Sequence, residues 1–269
     1  MTQGSPNANL RLVAFPRGTT FRSILALILR EFATNNANAF GGVLWAFVSP
    51  LASIIVATTV FSAGFKSPPV GDVFAIFYAT GVVPFAMFSA VNGRLGNAIR
   101  ENRKILRYPR ISVMDCIISR LIFVVLIQTF VGLCIYVAIL NMWNTKTVLD
   151  FGPILHAMSL AILLGFGVGS VNAYLFRVFP TWRHIWGIAT TPLFLLSCVI
   201  YSYEQVPQPF DAWLIYNPLV HIVALSRTGF YHGYPAHHVE PLYPLAVGLV
   251  LSIIGLILLN QGRGKLLAR

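Results

Sequence analysis

Six apolar runs dominate this chain, over residues 43–65, 73–90, 113–140, 152–176, 185–203 and 242–261. Each approaches or exceeds the ~20 residues that cross a ~30 Å hydrocarbon layer as a helix. Lipid offers no partner to a backbone N–H or C=O, so a run of this length is stable there only as a helix or in a closed barrel. An all-α integral membrane protein with six transmembrane helices is expected. Composition agrees: 57% of the 269 residues are hydrophobic and 10% charged, with a mean hydropathy of +0.74, whereas a soluble domain is about a quarter charged. Disorder, collagen and a soluble enzyme are excluded together. A seventh run, 212–226, has 15 residues without charge and contains Pro218. It is too short to span and reads as a re-entrant or interfacial pair of helices between spans five and six.

An even number of spans puts both termini on one side. Fifteen of the nineteen Lys and Arg residues fall in the N-terminal segment, the second-to-third and fourth-to-fifth connections and the C-terminus, while Lys66, Lys146 and Arg227 lie opposite. Cytoplasmic loops carry the basic excess in membrane proteins, so both termini are expected in the cytoplasm. The net charge of +11 is then a record of topology, and a nucleic-acid partner loses its support. Cys116, Cys134 and Cys198 have no metal-ligand or disulfide spacing and read as small packing residues. The stretch 1–16 lacks the apolar run and cleavage site of a signal peptide, so the mature chain is expected to start near Met1.

Three regions follow: a cytoplasmic tail over 1–20, an amphipathic interface segment over 21–40, and a six-helix membrane domain over 41–269. In the second, Phe21, Ile24, Leu25, Ile28, Leu29 and Phe32 share one helical face opposite Arg22, Ser23 and Arg30. Apolar side chains in the acyl boundary and arginines among lipid phosphates would suit that pattern.

Ion-coupled transport needs titratable groups near the bilayer midplane. No Asp, Glu, Lys or Arg lies in the middle of any predicted span; Asp115 and Arg120 sit within about two turns of the cytoplasmic end of the third, and His156 close to the outer end of the fourth. Residues 262–265 (GRGK) lack the spacing of a phosphate loop, and Gly165, Gly167 and Gly169 read as a small-residue packing face. His232, His237 and His238 share a loop without zinc spacing. No catalytic residue, metal site or cofactor is therefore expected in this chain, and any driving energy must come from another subunit.

The connection over 91–112 is too long for a turn and has helical character up to Leu106, ahead of Tyr108-Pro109. It is either a short helix that docks on a soluble partner or a solvated loop that only sets topology. Three stretches bear on the choice. Residues 105–120 (ILRYPRISVMDCIISR), 41–51 (GGVLWAFVSPL) and 206–234 (VPQPFDAWLIYNPLVHIVALSRTGFYHGY) resemble, in order, segments of the ABC-2 type permeases that export capsular polysaccharide in Gram-negative bacteria. The resemblance covers nearly all of the chain after Phe21. Val113 stands where that family often has proline, and Ala224 where it often has Glu.

The resemblance implies a homodimer in the inner (plasma) membrane bound to two copies of a separate cytoplasmic ABC ATPase, which would bind ATP and Mg²⁺. Arg100, Glu101, Asn102, Arg103 and Lys104 would form the coupling helix that touches it. The cargo would be a lipid-linked acidic polysaccharide passing between the two first and two fifth spans, with periplasmic and outer-membrane components beyond. Along such a path, sugar C–H faces pack on aromatic rings. Trp45 and Phe47 on the first span, and Tyr201, Tyr203, Trp213 and Tyr216 toward the outside, are the candidate lining; interfacial anchoring is the competing role of such residues. Arg94 and Arg120 would attract an acidic cargo at the mouth, although Arg120 has a possible structural partner in Asp115. Export of O-antigen or teichoic-acid-type glycans is the alternative cargo reading. A membrane-bound transferase or a scaffold is the alternative of another class.

Overall fold

The computed structural model describes residues 24–31, 42–103, 106, 112–143, 145, 147 and 149–261. Among these the chain is helical, with no strand. A helix over 24–31, α1, precedes α2 (Gly42–Gly64) and α3 (Phe74–Gly96). A four-residue α4 (Ala98–Glu101) leads to α5 (Val113–Met142) and α6 (Phe151–Val178). Then come α7 (Pro180–Leu196), a 3₁₀ turn at Tyr203–Gln205, α8 (Asp211–Leu214), α9 (Pro218–Thr228) and α10 (Leu242–Gln261).

Five of these helices, α2, α3, α5, α6 and α10, are long and apolar enough to cross a membrane. The expected fifth span over 185–203 is where the structure departs from the sequence reading. Pro180 opens α7 five residues earlier, where a proline's missing N–H costs nothing. The helix stops at Leu196 after 17 residues, and Cys198 turns the chain with φ 54°. At 1.5 Å per residue α7 reaches only ~25 Å. The run 197–203 was apolar enough to be counted as helix, but its carbonyls are taken by a side chain from α9. The short run over 212–226 divides as expected into two helices, broken at Tyr216-Asn217, where Asn217 Oδ1 accepts from Leu219 N at 3.1 Å and Pro218 opens α9.

α3 lies at the centre, packed on α2, α5, α6 and α9, and α6 joins it to α10. Buried share separates the elements: 72% of the apolar window of α3 against 17% for α2, and no residue of α7 is fully buried. Two peripheral helices thus keep open apolar faces around a closed centre. Close approach in that centre rests on the small-residue face of α6: Gly165 and Gly169 meet α3 at Phe88, Val91, Asn92 and Leu95, while Gly167 meets α10 at Gly248, Leu251 and Ser252. An amide ladder crosses three helices, with Asn172 Nδ2 donating to Asn92 Oδ1 and Trp182 Nε1 donating to Asn172 Oδ1, both at 3.0 Å. A buried amide left alone in such surroundings would cost about 1–3 kcal/mol, so the ladder specifies how α3, α6 and the start of α7 register.

Candidate functional site

The basic end of the molecule gathers the start of α5, the end of α3, α4 and α1. Ser112 and Asp115 form a capping box on α5: Ser112 N donates to Asp115 Oδ2 at 2.9 Å and Met114 N to Ser112 Oγ at 3.2 Å. That geometry satisfies the orphan donors of a helix start. It also occupies Asp115, so the Asp115–Arg120 pair considered from sequence is not the one that forms. Arg120, 5% exposed, pairs with Glu101 at 2.8 Å and with Glu31 at 3.2 Å. Its Nη1 also donates to the Arg94 carbonyl at 3.2 Å. Arg30 donates to Asn102 Oδ1, and Asn102 Nδ2 donates to the Ala98 carbonyl at 3.1 Å.

The proposed coupling residues therefore divide. Arg100 and Arg103 are exposed, Glu101 is partly exposed but engaged with Arg120, and Asn102 is buried. Lys104 lies outside the described residues. Residues 98–101 are helical, but the helix ends at Glu101; the helical character read up to Leu106 is not found among the described residues. Arg94 and Arg120 share the cluster, Arg94 through its carbonyl. Sequence reading placed Arg30 toward lipid phosphates, where the structure turns it to Asn102, and missed Glu31. The available signal was Glu31 itself, the only acid before Asp72. On α1 the buried residues are Leu27 and Glu31, neither on the expected apolar face, of which Ile24 and Ile28 are half-buried and Leu25 and Leu29 are 47% and 62% exposed. One stripe of α1 faces the protein and another faces away. Phe21, Arg22, Ser23 and Phe32 lie outside the described residues, as do residues 262–265.

On α2, Trp45 is 67% exposed. Phe47 instead meets Phe130 edge-on, with centroids 5.9 Å apart, and helps line an apolar cavity of about 510 Å³ between α2 and α5 with Leu51, Ile55, Ile135 and Ile139. Its surroundings suit hydrocarbon more than sugar. α7 presents an open groove with Arg183, His184, Gly187 and Thr191 along its exposed side.

At the opposite end the aromatic candidates take different positions. Tyr201 is half-buried, and its carbonyl accepts from Arg227 at 3.1 Å. Tyr203 stacks on His238 at 4.2 Å and donates to the Asp211 carbonyl at 3.1 Å. Trp213 and Tyr216, on and just after α8, are 75% and 71% exposed. Burial pushes the His238 imidazole below its ordinary pKa, partly offset by Glu204, whose Oε1 lies 3.5 Å from Nδ1. His221 is held by the Ile215 carbonyl at 2.8 Å and the Glu240 N–H at 3.1 Å. Among the described residues, no group of three or more His, Cys, Asp or Glu could hold a metal.

The residue that organises this end is Arg227 on α9, fully buried. Its guanidinium donates to the carbonyls of Cys198 at 2.8 Å, Val199 at 3.0 Å and Tyr201 at 3.1 Å, and lies 4.2 Å from the Phe77 ring centroid. Sequence reading counted Arg227 only as an outside charge. An arginine in an apolar run was the signal.

Membrane-length helices around a small-residue core, with ionic groups gathered at one end, make this a polytopic helical membrane protein. The model of the ABC-2 type transporter family matches residues 22–231, and the chain belongs to that family. It is 29% identical over 240 residues to the polysialic acid transport protein KpsM of Escherichia coli, covering 88% of this chain and 92% of that one. It is 25% identical over 242 residues to the capsule polysaccharide export inner-membrane protein CtrC of Neisseria meningitidis, covering 89% and 91%. The corresponding protein BexB of Haemophilus influenzae is 24% identical over 243 residues, covering 89% and 91%.

Proposed function

We propose that this chain is the inner-membrane permease subunit of an ATP-driven exporter of lipid-linked capsular polysaccharide, with both termini in the cytoplasm. It acts as a homodimer with two copies of a soluble ABC ATPase that supplies the ATP site. The observation that carries the reading is end-to-end similarity to export permeases over 88% of the chain. The open faces of α2 and α7 support a dimer, since these two helices bury least within one chain. The α8–α9 pair, between α7 and α10, serves as the re-entrant outer region.

The exposed side chains of Arg100 and Arg103 meet the ATPase. Co-purification in mild detergent followed by an ATPase assay tests this. The Arg100→Glu, Arg103→Glu double variant is expected to lower ATPase recovery about tenfold, because like charges set against an acidic patch cost several kcal/mol at most and are screened at the rim. Recovery equal to the unmodified chain, or no ATPase with either, removes the coupling assignment.

Trp45 lines the cargo path from the exposed side of α2. Trp45→Ala is expected to leave the folded protein within about 0.5 kcal/mol of the original, as a surface substitution does, while surface polysaccharide falls. Undiminished export at equal protein level would exclude Trp45 from the path. Phe47, facing the apolar cavity, acts on the lipid end of the cargo or on the α2–α5 spacing.

A further inference from the structure

The ionic cluster at the basic end ties the two short elements α1 and α4 to α3 and α5, which pack directly on each other. α4 is four residues long, with only Ala98 and Ile99 of its side chains buried by apolar contact. The described part of α1 is eight residues, with Leu27 as its single fully buried apolar side chain. Neither has enough apolar surface to be held firmly by packing. Arg120 supplies the connection. It lies two turns inside α5 and pairs with Glu101 of α4 at 2.8 Å and Glu31 of α1 at 3.2 Å. It also takes the Arg94 carbonyl in the last turn of α3 at 3.2 Å. Arg30 and Asn102 join α1 to the end of α4 a second time.

Burial makes the connection directional and stiff. Side-chain exposure is 5% for Arg120 and 10% for Glu31, against 43% for Glu101. Charge-assisted hydrogen bonds in such a place are shorter and stronger than exposed ones, and the guanidinium fork sets both carboxylates on Nη2 while Nη1 keeps the Arg94 carbonyl, which a single ammonium cannot do in the same geometry. The more exposed carboxylate belongs to α4, and the buried one to α1.

We propose that Arg120 is a positioning residue that locks α1, α4 and the first turns of α5 into one rigid unit, so that displacement of residues 98–103 by a soluble partner moves α1 and the third membrane helix together. The inference rests on the reading that residues 98–103 meet an ATPase. It assigns Arg120 to force transmission, away from the cargo mouth.

Spin labels at Leu29→Cys, an exposed position, and at Asn97→Cys, the residue that opens α4, report the distance between α1 and α4 in the purified permease–ATPase complex. The distance is expected to stay the same between the nucleotide-free and the ATP-plus-vanadate states. In a Glu31→Gln background it is expected to change between those states. Surface polysaccharide per ATP hydrolysed should fall roughly tenfold, the size of a typical coupling free energy, while the ATPase still co-purifies. Arg120→Lys, which keeps the charge and loses the fork, should fall between the two. A merely structural cluster predicts that folded variants keep both the invariant distance and the export ratio, and that result overturns the proposal. If Arg120→Lys does not fold, Glu31→Gln decides, since it leaves the Glu101–Arg120 pair in place. Failure of the unmodified chain to retain any ATPase is a different outcome. It overturns the functional reading and with it the partner that would drive the unit.

Discussion

Arg227→Met is expected to destabilise the chain by about 3 kcal/mol, read as a fall in thermal midpoint on the order of 10 °C. The opposing effect is real: a buried charge carries a desolvation cost that methionine would relieve, and apolar replacements of buried ion pairs are sometimes neutral. Here the groups left behind decide the sign. The carbonyls of Cys198, Val199 and Tyr201 would lose donors at 2.8, 3.0 and 3.1 Å. Backbone acceptors cannot be repacked, and each orphan costs about 1–3 kcal/mol. The contact with the Phe77 ring at 4.2 Å would add to the loss. Arg227→Lys keeps the charge with a single nitrogen that cannot reach three carbonyls, so it should recover about half. Fluorescence-detected size exclusion after heating measures both variants. A midpoint unchanged in Arg227→Met would mean that the end of α7 holds its shape without the guanidinium.

Gly167→Val is expected to cost about 3 kcal/mol, at the upper end for overpacking, and to lower the yield of monodisperse protein. A Cβ at this position would stand 2.8 Å from the Gly248 carbonyl oxygen, 2.9 Å from Leu251 Cβ and 3.0 Å from Ser252 N. Two of these atoms are backbone of α10, and a helix axis cannot rotate out of the way as a side chain can. Gly255→Val probes the same contact from the other side, where the added Cβ would meet Ser170 Cβ at 2.6 Å and Val171 N at 3.0 Å. Gly93→Ala is the control, because nothing lies within 4 Å of the added carbon. It should sit within about 1 kcal/mol of the original, on the stabilising side if helix propensity dominates. Equal loss in Gly93→Ala and Gly167→Val would show that helix contact is not the cause.

The glycine face was legible because three small residues two apart in a helical run have few uses besides close packing. The capping residues Ser112 and Asp115 were visible as residues, but their partnership was not, since Arg120 offered Asp115 an equally plausible charge. Proximity along the chain suggested that pair. Proximity in space replaced it with Glu31 and Glu101, which stand 89 and 19 residues away in sequence. No periodicity or spacing encodes such a meeting. The bounds of the fifth run, 185–203 against Pro180–Leu196, differ for a related reason. Hydropathy sees that 197–203 is apolar, but not that Arg227 arrives from α9 to take its carbonyls and make a helix ending there stable.

By itself the sequence determined the class of protein. Long apolar runs leave the backbone no choice but helices, and that is a local and compositional property. It also placed the start of α10 at Leu242 and the break ahead of Pro218. Only the tertiary structure decided which helices are enclosed and which stay open, where α7 stops, and which carboxylates Arg120 holds. Those outcomes depend on groups far apart in the chain reaching within about 3 Å of each other, the range at which a hydrogen bond or buried ion pair acts.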